Sequence, residues 1–173
     1  MAIYFPNSEI GEMVCEAWRI TSTFSGDNNF IGGNSMVNWE RSDDVYGGGN
    51  ISSGVLSESN GSFTFNSDYY GYYLLTHHAY NYLSNNTSRW NEMILYVSWN
   101  SGANWDQHSY ATNHIYSNQS SASSGGSCAS SIIAATSATR LRFEMAVEHN
   151  STYTYGNTNE QMTGFTIAKI SDI

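Results

Sequence analysis

Apolar and polar positions alternate in steps of two along most of this chain, and no stretch repeats at the helical interval. The clearest run is Arg140 to Glu148. Leu141, Phe143, Met145 and Val147 fall on one face, with Arg142, Glu144, Ala146 and Glu148 on the other. That pattern predicts an antiparallel strand with a buried face and a solvated one. Two segments are apolar on both faces. Met93, Leu95, Val97 and Trp99 alternate with Ile94, Tyr96 and Ser98, and Tyr69–Tyr82 sets Tyr73, Leu75 and Ala79 against Tyr72, Leu74 and Tyr80. Such strands are expected to be covered on both sides, the second cover being a neighbouring subunit. Further strands are predicted over Met13–Phe24, Ile51–Glu58, Ser62–Asn66, Ser109–Ser117, Cys128–Ala135 and Met162–Ile170. Turn-forming clusters separate them, among them Gly26-Asp27-Asn28-Asn29, Tyr46-Gly47-Gly48-Gly49-Asn50, Asn60-Gly61, Asn100-Ser101-Gly102 and Tyr155-Gly156-Asn157. Short strands at this spacing predict an all-β sandwich or jelly roll. The low-complexity stretch 118–127, rich in Ser and Gly, reads as a surface loop.

Composition supports the β reading. The 173 residues suffice for one domain with a full core. Only 12% are charged, there are 13 Tyr and 7 Phe, and Lys169 is the single lysine. Helical surfaces draw on Lys, Glu and Arg, whereas Ser, Thr and Asn favour strands and turns. A net charge of −9 with six cations excludes a nucleic-acid groove and an anionic membrane as partners. The start, Met1 to Asn7, has neither a basic region nor an apolar run of signal-peptide length. Synthesis in a cytoplasm without a cleaved leader is the expectation. Cys15 and Cys128 show no metal-ligand spacing and read as two buried thiols, with a disulfide left open.

Three segments carry a family resemblance: Gly61-Ser62-Phe63-Thr64-Phe65, Gly71-Tyr72-Tyr73-Leu74-Leu75, and the closing Gly164-Phe165-Thr166-Ile167-Ala168-Lys169-Ile170. Together they resemble the C1q/tumour-necrosis-factor-like jelly roll, a homotrimeric β-sandwich, with the domain over 13–173 and an N-terminal arm over 1–12. Trp39-Glu40-Arg41 and Ser98-Trp99-Asn100-Ser101-Gly102-x-x-Trp105 are similar to members encoded by tailed phages of marine type. One departure is the long turn Asn66-Ser67-Asp68-Tyr69-Tyr70, where the family places a proline and fewer residues. The lack of a collagen-like stalk also sets the chain apart from the secreted animal branch. The resemblance implies an adhesive or structural protein and no enzyme.

Candidate chemistry is sparse. His77 and His78 are adjacent in a strand and point to opposite faces, so they cannot share a metal. His108 and His114 lack the acidic or Cys partners of a zinc site. No Gly-x-Ser-x-Gly elbow is present. Asn100-x-Gly102-x-Asn104-x-Asp106, Asp27 with its asparagines, and Asp43-Asp44 gather oxygen ligands that suit Ca2+, but Asn and Asp are also ordinary turn formers. No cofactor is expected, with Ca2+ the one candidate.

The aromatic surplus says more. In the implied trimer, Tyr72, Leu74, Tyr96 and Phe165 are the candidate interface. Trp99, Asn104, Trp105 and Asp106 are the candidate glycan contact, since sugars stack on exposed rings beside hydrogen-bonding groups. In the arm, Ile3, Tyr4 and Phe5 form an apolar knot that is the candidate capsid anchor. The resulting expectation is a phage virion structural protein, a trimeric capsid decoration (cement) protein on the virion surface. Its partners would be its own copies and the major capsid protein or another virion protein. The alternative is a receptor- or glycan-binding head of a tail fibre, contacting a host surface glycan.

Overall fold

The structure is a computed structural model, and it describes residues 14–26, 36–42, 54–83, 87–116 and 123–173. Its elements run β1 (Cys15–Ile20), β2 (Phe24–Ser25), β3 (Trp39–Arg41), β4 (Leu56–Ser59), β5 (Ser62–Phe65), a 3-10 turn (Ser67–Tyr69), β6 (Gly71–Leu83), β7 (Ser88–Ser98), β8 (Asp106–Ile115), β9 (Ser123–Ala135), β10 (Arg140–Val147), β11 (Tyr153–Thr154) and β12 (Gly164–Ser171). They form two antiparallel sheets. The first centres on β6, whose 13 residues pair with β9 along one edge. Its other edge is shared, with β12 on the first half and β11 on the second. From there β12 leads to β1 and β3, and β11 to β2. The second sheet has the order β4-β5-β10-β7-β8.

Local chemistry sets the ladder. Asn60 (φ 51) and Gly61 (φ 76) both lie in the left-handed region. They close the two-residue β4–β5 hairpin, with Ser59 opposite Ser62. Gly164 opens β12 where it crosses β1, and a Cβ there would stand 2.1 Å from the Trp18 carbonyl oxygen. The long turn before β6 becomes the 3-10 turn, whose Tyr69 carbonyl accepts the Tyr73 hydroxyl at 2.5 Å.

The inner faces meet on an aromatic knot. Phe143 of the second sheet stacks on Phe165 of the first, centroids 4.6 Å apart. Phe63 meets Phe165 edge-on at 4.9 Å, while Trp18 and Trp39 close the group at 5.1–5.5 Å. Offset and edge-to-face contacts of this kind add to the gain from burial. Leu141, Phe143, Met145 and Val147 are all buried, on the face read from the sequence.

Their outward neighbours depart from expectation. Glu144 is buried and Arg142 half-buried, where both were expected to be solvated. Arg142 lies over the rings of Tyr96 (4.8 Å) and Trp105 (4.6 Å) and pairs with Glu144 at 3.0 Å. In the same rows Ile94 stands between Glu144 and Tyr110 and is buried within this chain, whereas Trp90 on the same strand is exposed.

Two more expectations change. The part of the Ser/Gly stretch from Ser123 to Ser127 is strand, not loop, and continues β9 alongside Ala79–Leu83. Its small side chains give no hydrophobic signal, yet the backbone pairs fully. The inner space is taken by Asn113, whose amide donates to the Gly125 carbonyl. The cysteines are free, Cys15 half-buried and Cys128 exposed. Both fall on outward positions of the first sheet, so neither is a buried thiol.

Replacing Phe143 by Ala removes the ring that joins the two sheets. A loss of about 3–5 kcal/mol in urea unfolding is expected, with the all-β circular dichroism spectrum retained at low denaturant. A change below about 1 kcal/mol would show that the knot does not hold the sandwich.

Candidate functional site

Three regions carry side chains that do more than fill the core. The first is buried polarity. On β1 and β3, Arg19 Nε donates to Glu40 at 2.8 Å and Arg41 Nε to Glu16 at 2.5 Å. Glu16 and Arg19 are both buried. The second Glu16 oxygen accepts the Leu56 backbone N–H, and Arg41 Nη2 donates to the Leu56 carbonyl. Trp39-Glu40-Arg41 is thus a clip that locks β3 and β4 to β1. At the other end a chain of amides links the sheets. Asn91 donates to Asn113, Asn113 to Asn81, and Asn81 to the Thr154 hydroxyl, each at 2.9–3.0 Å. Sequence reading missed both networks, because an Asn or Glu inside an alternating run looks like a solvent-facing residue.

His77 belongs to the same buried set. One ring nitrogen meets the Ser109 hydroxyl at 2.8 Å across the sheets, and the ring lies 5.9 Å from Phe143. Its other nitrogen, Nδ1, has no partner. Burial pulls its pKa from 6.5 down to about 4, and His78 adds to the shift. Of the hydrogen-bonded pair, the His77 ring is buried between the sheets and Ser109 is half-buried. His78 faces outward, its pKa lowered by burial, near the Gln161 carbonyl.

The second region is the outer face of the first sheet. Tyr72, Leu74, Ile132 and Ile170 are 43%, 44%, 61% and 56% exposed. Leu74 stands between Ile132 and Ala168 in register. A shallow groove beside it is lined by Cys15, Ala17, Leu74, Thr76, Thr166 and Ala168. Along β9 the outward positions are Ser124, Gly126, Cys128 and Ser130, a strip with almost no relief. Further on, Tyr80, Tyr82, Tyr153 and Tyr155 form an aromatic group with centroids 5.5–6.2 Å apart.

The four residues expected at a trimer interface do not share a surface. Tyr72 and Leu74 lie on this outer face. Phe165 is fully buried at the centre of the aromatic knot and can reach no second copy. Tyr96 lies on the outer face of the second sheet, on the opposite side of the sandwich. The knot Ile3, Tyr4 and Phe5, with Asp27, Asp43 and Asp44, lies outside the described residues.

The third region is the loop after β7. Ser101 (φ 61) and Gly102 (φ 90) turn the chain. Asn100 Oδ1 accepts the Ser98 hydroxyl and the Asn104 backbone N–H, both at 2.9 Å. The Gly102 N–H donates to the Ser98 hydroxyl at 2.8 Å. Asn100 is therefore spent on shaping the turn. Trp99, Asn104 and Asp106 are exposed, whereas Trp105 is half-buried over Arg142. His108 meets Trp99 edge-on at 6.1 Å, and His114 is exposed further along β8. Among the described residues, no three His, Cys, Asp or Glu side chains are grouped to hold a metal.

Comparison with known proteins separates fold from sequence. No family model matches the chain, and no curated protein matches it in sequence. Solved structures do match. Eiger TNF from S. frugiperda superposes with a TM-score of 0.65 at 11% identity, over 93% of this chain and 94% of that one. Murine APRIL at pH 5.0 gives 0.59 at 6% identity, over 92% and 100%. This chain folds as a TNF-like jelly roll. The likeness is one of fold, at 11% identity or less in these two structures.

The buried His77 makes stability depend on pH. Because the folded-state pKa lies below the ordinary value, the unfolded chain takes up the proton first as pH falls. The contribution is complete above about pH 6.5 and is lost between there and about pH 4. Urea unfolding is expected to show a loss of about 3 kcal/mol across that window, and His77→Gln should flatten it. An unchanged pH slope in the variant would assign the loss to other groups.

Proposed function

We propose that this protein is a non-catalytic structural protein that assembles as a homotrimer through the outer face of its first sheet. We further propose that the trimer decorates the surface of a tailed-phage virion. One observation carries the assembly. Tyr72, Leu74, Ile132 and Ile170 remain largely open to water on one face although the core is complete without them. Covering them would contribute roughly 1 kcal/mol each at half exposure. The flat Ser/Gly/Cys strip of β9 beside them lets a second surface approach closely. A face of this kind closes a ring when each copy offers it to a different surface of the next copy. The TNF-like fold shared with Eiger and APRIL supports the same reading.

The virion role rests on the sequence resemblance to phage-encoded members and on the apolar residues Ile3, Tyr4 and Phe5. In this reading those three side chains dock onto the major capsid protein or another virion protein. Three arms per trimer would multiply a weak single contact by avidity.

Leu74→Glu tests the assembly surface. An outward position tolerates the change in a monomer, whereas burial of an unpaired carboxylate against a second copy is strongly unfavourable. Light scattering should show the variant as a folded monomer, and a virion reconstruction with the unmodified protein should show three-lobed density on the capsid. A variant that keeps the unmodified protein's mass would refute the surface. Density confined to a fibre tip would refute decoration.

A further inference from the structure

A β-bulge on β8 builds a second surface, on the opposite face of the sandwich. Leu95 of β7 is opposite Ser109, but Tyr96 is opposite Gln107, so His108 is the extra residue. In an unbroken strand Gln107 and Tyr110, three apart, would face opposite sides. The bulge turns both onto the outer face of the second sheet. There the Tyr110 hydroxyl donates to Gln107 Oε1 at 2.5 Å, and Gln107 Nε2 donates to the Tyr96 hydroxyl at 2.8 Å. Bulges give up part of a ladder to re-aim side chains, and they recur beside binding sites.

The surroundings hold these groups in place. Arg142 fills the gap between the Tyr96 and Trp105 rings, and its charge is matched by Glu144 beneath. The Asn100 and Ser98 hydrogen bonds fix the loop that carries Trp99 and Trp105. Tyr110 and Trp99 stay 45% and 43% exposed. The result is a rigid platform of rings interleaved with an amide and hydroxyls, in which the buried charges cancel.

We infer that the bulge-built face of Tyr96, Gln107, Tyr110, Trp105 and Trp99 is a binding site for a neutral oligosaccharide. A charged ligand would gain little where Arg142 and Glu144 already neutralise each other. A wholly apolar ligand would cover the second Gln107 amide hydrogen and the Tyr110 hydroxyl lone pairs, which their mutual hydrogen bonds leave to water. A pyranose satisfies both demands. Its C–H face stacks on the rings, and its hydroxyls donate to and accept from the amide and phenols. The site draws on no residue of the first sheet, so it lies apart from the proposed assembly surface.

The test is saturation-transfer NMR on the whole protein with maltohexaose, cellohexaose, mannohexaose and chitohexaose, and with sialyllactose as the anionic comparison. Transfer to at least one neutral hexasaccharide is expected, with affinity reduced about tenfold in Tyr110→Ala and in Gln107→Ala. Glu160→Gln, at an exposed position outside both surfaces, should leave binding unchanged. Failure of all four neutral sugars at millimolar concentration overturns the proposal. So does binding that survives both β8 variants, or equal binding of sialyllactose. Near-ultraviolet circular dichroism of each variant separates loss of the site from loss of the fold.

Discussion

The contact between Phe143 and Phe165 is the constraint on which the rest depends. It is where the second sheet meets the first, and Phe63, Trp18 and Trp39 pack around it in edge-on or tilted geometry. Because these rings fill the space between the sheets, the outward positions of both sheets are left free to take on other roles. The buried ion pairs at one end and the amide chain at the other then fix register. Each polar group in them reaches a partner only if β3 lies on β1 and β8 faces β6 at the observed offset. Packing supplies the stability, and the polar links make one arrangement of the sheets better than its neighbours.

The two outer faces differ in kind. That of the first sheet is apolar at one end, tyrosine-rich at the other and flat along β9 between them. That of the second sheet carries compensated charges, an amide and rings held by hydrogen bonds. A surface of the first kind suits a large, dry contact with another copy of the chain. A surface of the second kind suits a small polar ligand. Their placement on opposite sides of the sandwich would let both proposed contacts form at once.

Much of the fold was legible in the sequence because alternation reports which side of a strand is buried. Leu141, Phe143, Met145 and Val147 faced inward for that reason, and Asn60-Gly61 marked a tight hairpin. The misreadings share one cause. Pattern reading assumes that polar means exposed and apolar outward means covered by another chain. Glu144 and Arg142 are polar yet largely withdrawn from water, because a cross-strand ring and an ion pair enclose them. Ile94 is apolar and outward yet covered by its own sheet. Ser123 to Ser127 carry no hydrophobic signal and still form strand, since the long β6 supplies a partner for every residue. The bulge at His108 could not be read at all. It is set by the pairing of β8 with β7, and it moves Gln107 to a face that alternation would not assign to it. Phe165 looked available for assembly because a strand's sequence does not say which of its faces turns toward the second sheet.

The central claim is that the outer face of the first sheet is an assembly surface. Sedimentation equilibrium of the unmodified protein at micromolar concentration tests it most directly. A single species of three times the 19.2 kDa chain mass is the predicted result. A species of one chain mass over the whole concentration range would contradict the account, since Tyr72, Leu74, Ile132 and Ile170 would then face water in the working molecule.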